Sequence, residues 1–598
     1  MRHFSVCCQR WPAKVATAFV FFSLLAVLCA EEPHGRTVWN AAEYGAIADG
    51  TTDCTLPIQS ALNDASKAGG GTVTLSAGRF AVRGNLSIPR GVTLEGTYRA
   101  ALTIDCVDQP VDGTVLLAYA GRGSSSGQAF ITLAGTNATI KGVAVIYPEW
   151  NRNDVPPVPY PPCIESHDTN NVAVIDCCLL NPYEGIKFVR AARHLVRNVT
   201  GYPIWRGLFV DQCYDIGHIE NIHYWPFGLA YDPTDPYCEW INVNSVAFEL
   251  ARTDWHYMSN LFCFGYGVGY KFSDHGYGGT NGNFLGLGAD SCRRAVLVEA
   301  AQVPGLLITN GEFVGRWKST DSVCIEVTEN AAGKVSLNNC SFWGPIETCI
   351  RFNAPEGQLT ANACHFCNWD NGSKGAPAIR LEAGKSIISS CTFIDEGLCV
   401  SVGKMSQSTI LTGNQGANGF IWSADSEKTP VKAMANEDPV DLLREEALNA
   451  YRVTFGRQGD SPFAEGLFGR EKSDGYPFRW SQGESALRLP VPRNQPVDVQ
   501  LRLLVPQSAL DDDVQKAGIY FEGERLVSFT EPGLQTFKFT LPPQNAETAR
   551  VNLIVSQWDP PAGDTRKLGI QYLSVQVTVS GVSPSKYFDV NQQEWIGE

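Results

Sequence analysis

GIKFV (Gly185–Val189), GLFVD (Gly207–Asp211), AFELA (Ala247–Ala251), GYKFS (Gly269–Ser273), AVLVE (Ala295–Glu299), CIEVT (Cys324–Thr328), CIRFN (Cys349–Asn353) and AIRLE (Ala378–Glu382) decide how this sequence folds. Each five-residue run alternates apolar and polar residues, so each is a strand with one buried face. Ile186, Leu208, Phe248, Tyr270, Val296, Ile325, Ile350 and Ile379 begin the inward column. The runs return every 22–30 residues or so, with one longer coil of about 40 around Tyr231. An asparagine marks the turn ahead of many of them: Asn198, Asn221, Asn260, Asn310 and Asn339. One such unit cannot bury its own apolar face, so the units must stack. Three sheets wound into a right-handed parallel β-helix, with asparagine side chains laddered at a repeated turn, is the predicted architecture. No helix per unit and no fixed leucine repeat supports a leucine-rich horseshoe.

Outward from this repeat, the chain divides four ways. Arg2, Arg10 and Lys14 followed by uncharged VATAFVFFSLLAVL (Val15–Leu28) read as a signal peptide over 1–30, too short for a comfortable bilayer span. No later stretch is long and apolar enough to cross a membrane, so the mature protein is expected to be secreted, periplasmic or on the cell surface. The β-helix is assigned to 31–425 and a polar linker to 426–450, with DLLREEALNAY (441–451) as a short helix. Residues 451–598 hold alternating strands between polar turns and predict an all-β C-terminal β-sandwich. That sandwich is read as carbohydrate-binding or bracing, with Trp480, Trp558 and Tyr572 as the aromatics to watch.

The 62 acidic and 47 basic residues give a net charge of −15, which argues against nucleic acid as partner. Of 19 cysteines, 16 follow the signal segment. They recur in contexts such as NNCSF (Cys340), NACHF (Cys364) and SSCTF (Cys391), which suggests stacked inward thiols acting as small hydrophobes. No cysteine or histidine spacing suits a metal centre.

The segment EYGAIADGTTDCTLPIQSALNDASKAGGGTVTLSAGRFAVRGNLSIPRGVTLEG (Glu43–Gly96) resembles the opening of the pectate lyase-like, rhamnogalacturonase and polygalacturonase superfamily. The resemblance implies a right-handed parallel β-helix whose N-terminal end is capped by a helix. Ile58, Ala61, Leu62 and Ala65 would supply the capping face, and Gly69–Gly71 would end that helix. The superfamily contains hydrolases, lyases, epimerases, phage spikes and non-enzymes, so the fold alone does not assign chemistry.

Chemistry is expected on the outer face. Strand alignment stacks Lys187, Phe209, Glu249, Lys271, Leu297 and Glu326 in one outward column, and Val189, Asp211, Ala251, Ser273 and Glu299 in the next. Asp211 and Glu249 then stand on neighbouring coils at a diagonal of roughly 8 Å, a spacing that suits an inverting glycosidase. Glu184 and Arg206 occupy pre-strand turns where polygalacturonases carry catalytic carboxylates and a histidine. Two aromatic insertions, Tyr147–Cys163 and Tyr224–Trp240, place Trp150 and Tyr231 as sugar-stacking residues. Arg252, Asp254, Asp274, His275 and His256 are expected to gather at the strand exits. The leading expectation is an exported glycoside hydrolase using Asp211 and Glu249 without a cofactor. A polysaccharide lyase would use Lys187, Lys271 or Arg206 as base, with calcium held by Asp211 and Glu249. A non-catalytic surface β-helix that binds glycans or assembles as a homotrimer is the third reading.

Overall fold

A computed structural model describes residues 36–99, 112–225, 232, 234–317, 319, 321–426, 428–437, 443, 445–510, 516–560 and 566–597. The segment read as a signal peptide, and Tyr231, lie outside the described residues.

Thirty-five strands between Val38 and Met434 join one parallel assembly, each pairing with strands one coil before and after. This is an all-β parallel solenoid with few helices. The inward column forms in the predicted register: Ile186 pairs with Leu208, Leu208 with Phe248, Phe248 with Tyr270 and Tyr270 with Val296. Ile325, Ile350 and Ile379 continue it, and all eight side chains are buried. Phe248 and Tyr270 stack with ring centroids 5.1 Å apart, so the coil spacing itself builds aromatic columns.

The asparagine turns follow from backbone sterics. Asn198, Asn221, Asn260, Asn310 and Asn339 all adopt left-handed φ of 51–55°, which asparagine tolerates better than any residue but glycine. Asn221 donates to Asn198 Oδ1 at 2.8 Å, and Asn339 to Asn310 Oδ1 at 2.8 Å. The ladder thus satisfies side-chain amides coil by coil. The fifteen described cysteines are all free thiols, fourteen of them buried.

Three elements differ from the sequence reading. Parallel pairing continues past residue 425: Val431–Met434 pairs with the preceding coil, and Asn436 extends the ladder from Asn414. Of the helix expected over 441–451, residues 441, 442 and 444 lie outside the described residues, and the described part holds a single 3-10 turn, Glu445–Ala447, before a strand begins at Ala450. A second helix, Pro236–Asn244 (α2), closes the second aromatic insertion. Its start is legible afterwards, because Asp235 accepts from Tyr237 N and Cys238 N ahead of Pro236 in the first turn.

The first helix, Thr55–Lys67 (α1), buries Ile58, Ala61, Leu62 and Ala65 in the same core cluster as the coils. Beyond Ala450, twelve strands pair almost entirely antiparallel around a separate cluster that includes Leu501, Val551 and Tyr572. Tyr572 is fully buried, so it is a core residue and not a sugar-facing one. Trp558 packs against that cluster, and its indole N–H donates to Gly569 O.

Candidate functional site

The outward column forms as the strand alternation dictates: Lys187 pairs with Phe209, Phe209 with Glu249, Glu249 with Lys271, Lys271 with Leu297 and Leu297 with Glu326. Outward does not mean solvated here. Glu184, Asp211 and Glu249 are at most 5% exposed, because neighbouring coils carry aromatic and cationic side chains over them.

Arg206 is the hub. Glu184 and Arg206 open adjacent strands, Glu184–Ala192 and Arg206–Asp211, and are register partners rather than turn residues. The Arg206 guanidinium donates through Nε to Glu184 Oε1 at 2.9 Å and through Nη1 to Glu249 Oε2 at 3.0 Å. It lies over the rings of Phe209 and Trp205, at 4.0 and 4.6 Å, and Tyr183 stacks on Trp205 in turn. Arginine suits this place because its planar head can face rings and bridge two carboxylates at once.

The second oxygen of Glu249 faces the other way. Oε1 accepts from Ser273 Oγ at 2.9 Å, lies 3.1 Å from His275 Nε2 and 4.0 Å from Lys271 Nζ. Burial acts to raise the Glu249 pKa, but the Arg206 charge and the bonds from His275, Arg206 and Ser273 outweigh it. The carboxyl is therefore held below the ordinary glutamate value. Lys271 also reaches Glu299 at 3.2 Å. The His275 side chain remains 46% exposed.

Asp211 stands two residues further along its strand, as predicted, but its oxygens accept from Arg252 N at 3.1 Å and Gln212 Nε2 at 3.3 Å. Both expected carboxylates are thus engaged by N–H donors. They do not fit the calcium-holding role, and among the described residues no three His, Cys, Asp or Glu converge as a metal set. Lys187 is taken by Glu165 at 3.0 Å, a partner that strand alternation in CIESH could have disclosed. Trp150 is half-buried against the core of the coil. Its indole N–H donates to Tyr237 Oη at 2.8 Å against α2. Arg252 and Asp254 pair with each other at 2.7 Å. His256 is not at the strand exits but is buried in the interior beside His194.

Beyond His275, the strand exits enclose a cavity of about 550 Å³ lined by Asp274, Glu299, Glu326, Glu329 and Arg351. The strand order brings together an anchored carboxylate, a half-exposed imidazole, a lysine and an open cavity. An ionised Glu249 beside Nε2 favours the tautomer with hydrogen on Nε2, which leaves the Nδ1 lone pair free to take a proton.

Residues 38–152 match the family model described as rhamnogalacturonase A/epimerase, pectate lyase-like. Mannuronan C5-epimerase AlgE5 of Azotobacter vinelandii is 36% identical over 114 residues, covering 17% of this chain and 11% of that protein. Mannuronan C5-epimerase AlgE4 of the same organism is 34% identical over 114 residues, covering 17% of this chain and 21% of that protein. The chain therefore spans about a tenth to a fifth of the length of these relatives. Among solved structures, bacteriophage phi29 gene product 12 is similar with a TM-score of 0.41 at 12% identity, over 67% of this chain and 58% of that one. A Yersinia enterocolitica family 28 exopolygalacturonase is similar with a TM-score of 0.37 at 10% identity, over 68% of this chain and 79% of that one. Through residues 38–152 and the parallel coil that they open, this chain resembles the pectate lyase-like parallel β-helix superfamily.

Proposed function

We propose that this chain is an exported enzyme acting on an acidic polysaccharide by proton transfer at a ring carbon beside a uronate carboxylate. The single observation that carries this is His275, half-exposed beside an open cavity, with its Nε2 against a buried and ionised Glu249. In this reading His275 Nδ1 takes the proton and Glu249 holds the ring in place and offsets the imidazolium charge. Electron density left on carbon spreads onto the substrate carboxylate, where Lys271 is the cation at hand to neutralise it. Delivery of a proton from solvent water to the opposite face, with His275 releasing its own to solvent, epimerises the sugar, and loss of the neighbouring glycosidic oxygen, protonated by water as it leaves, instead cleaves the chain by elimination. The segment shared with mannuronan C5-epimerases supports the first outcome.

Paired-carboxylate hydrolysis is the second reading, favoured by the predicted offset of Asp211 from Glu249 on adjacent coils. Glu249, held ionised, would then be the base and Asp211 the acid. In both readings the coil is right-handed, α1 caps its open end, and the strands after Ala450 form a β-sandwich.

The test incubates the full chain with polymannuronate, polygalacturonate and a neutral glucan in heavy water. Deuterium at the ring carbon is expected on an acidic polymer only, with or without unsaturated ends absorbing in the ultraviolet. His275→Ala should lower turnover about 10²–10⁴-fold and leave the melting temperature unmoved. Saturated new reducing ends without ring deuterium would transfer the assignment to hydrolysis. Binding without any product would leave a glycan-binding protein.

A further inference from the structure

A second cavity, of about 600 Å³, lies among the antiparallel strands and carries the opposite charge. Its lining includes Arg457, Arg470, Lys472, Gln458 and Asn591, and no acidic side chain. On a chain with a net charge of −15, three cations around one opening are a local reversal of sign.

The local sequence explains the clustering. In GREKSDGYP (469–477), alternation sends Arg470 and Lys472 to one side and Glu471 to the other. There Glu471 is bonded by Arg566 at 2.6 Å. The strand Glu471–Ser473 turns back onto Tyr476 through Asp474 and Gly475, both with positive φ, the backbone that a tight two-residue hairpin requires. The opposite wall is the loop after Phe455. Gly456 (φ +85°) could carry no Cβ there, since one would lie 2.3 Å from Phe478 N. Asn591 fixes that loop by donating to Thr454 O and Gln458 O at 3.1 and 2.9 Å. Arg470 is partly neutralised by Glu396 at 3.6 Å, a carboxylate already engaged by Gly459 N and Ser461. Among the described residues, neither Arg457 nor Lys472 has a carboxylate within ion-pair distance.

We propose that this cavity binds an anionic sugar unit, a carboxylated residue of an acidic polysaccharide. Arg457 and Lys472 would meet the carboxylate, and the Gln458 amide the hydroxyls, while Asn591 holds the loop that carries them. Tyr476, 74% exposed beside two lining residues, offers a ring to a sugar face. The volume falls in the usual range for small-ligand sites, about 300–1,000 Å³. The identity of the polymer rests on the function proposed above, but the binding site does not need the outer face of the coil to be catalytic.

The test reads hydrogen–deuterium exchange of the full chain with a galacturonate oligomer, a neutral galactose oligomer or inorganic phosphate. The galacturonate oligomer should protect segments 455–458 and 470–477, with protection falling as salt rises. Arg457→Ala with Lys472→Ala should weaken this protection about tenfold or more in concentration, while turnover of a short oligomer stays as in wild type. His275→Ala should keep the protection, so loss of turnover and loss of this site are separable. Equal protection by the neutral oligomer or by phosphate, or protection unchanged in the double variant, overturns the assignment.

Discussion

The coils around Leu208 bury polar groups on both sides of the sheet wall and treat them oppositely. Outside, Arg206 stands between Glu184 and Glu249 and holds Glu249 charged. Inside, His194 and His256 are fully buried with ring centroids 5.1 Å apart, and neither has a charged partner. His194 Nδ1 meets Ala191 O at 2.7 Å, while its Nε2 and both nitrogens of His256 have no hydrogen-bond partner among the described residues. Desolvation pushes His194 down to about 4 and His256 well below its ordinary value. Burial depth is similar on the two sides, so the partner and not the depth decides whether a charge persists.

The largest expected effect breaks the outer arrangement. Arg206→Ala strands two buried carboxylates and should cost about 3–5 kcal/mol of stability, read from urea unfolding. Replacing all three groups at once, as Glu184→Gln, Arg206→Met and Glu249→Gln, should recover much of that loss. A small loss for Arg206→Ala alone would mean that water reaches this cluster.

The inner pair gives the next effect, through pH. Unfolded histidines bind protons near pH 6.5, whereas His194 in the fold does so only at about 4. Between those values the unfolded chain binds more protons, so stability falls as pH drops through 6.5, by about 1.4 kcal/mol per unit for each histidine. Glu249 acts in a separate window. Its folded pKa is depressed, so its contribution is present above the ordinary value of about 4.3 and is lost only as pH falls below it. His218 contributes repulsion to both inner histidines. His256→Leu should roughly halve the slope between pH 6.5 and 4, and an unchanged slope would place the acid sensitivity elsewhere.

Gly217 ranks third. A Cβ there would come within 2.5 Å of both His194 Nε2 and His256 Cε1. Gly217→Ala should therefore cost about 1–3 kcal/mol as overpacking. Combining it with His256→Ala should relieve most of the cost, a coupling readable by double-mutant cycle.

The register of the coil was legible because period-two alternation admits one inward set, from Ile186 through Ile379, and a slip of one residue would expose it all. The asparagine ladder was legible for a similar reason, since Asn198 and its equivalents fill a backbone conformation few residues accept. The site was only half legible. Alternation correctly sent Glu249 and Asp211 outward, but it carries no information on what the next coil lays over them. Trp205 and Phe209 flank Arg206, and Ser273 and His275 reach back across a coil, contacts set by side-chain length rather than by period. Trp150 shows the converse. An aromatic in a long insertion reads as exposed until α2 supplies Tyr237 as its partner.

The smallest effect tests the comparison from its weak side. Further along the same outward column, Arg351 repeats the theme of Arg206, with Glu326 at 3.3 Å and Glu347 at 3.5 Å. Its side chain is 27% exposed against 12% for Arg206, and among the described residues no ring lies over its guanidinium. Water can solvate whatever carboxylates remain after its removal, so Arg351→Ala should change stability by only about 0–1 kcal/mol. Raised salt should shrink that difference further, because exposed pairs are screened and buried ones much less so. The Arg206→Ala loss should hold nearly constant across the same salt series. If the two variants proved equally costly and equally salt-sensitive, the aromatic cover over Arg206 would contribute nothing, and the distinction between the two parts of the column would fail.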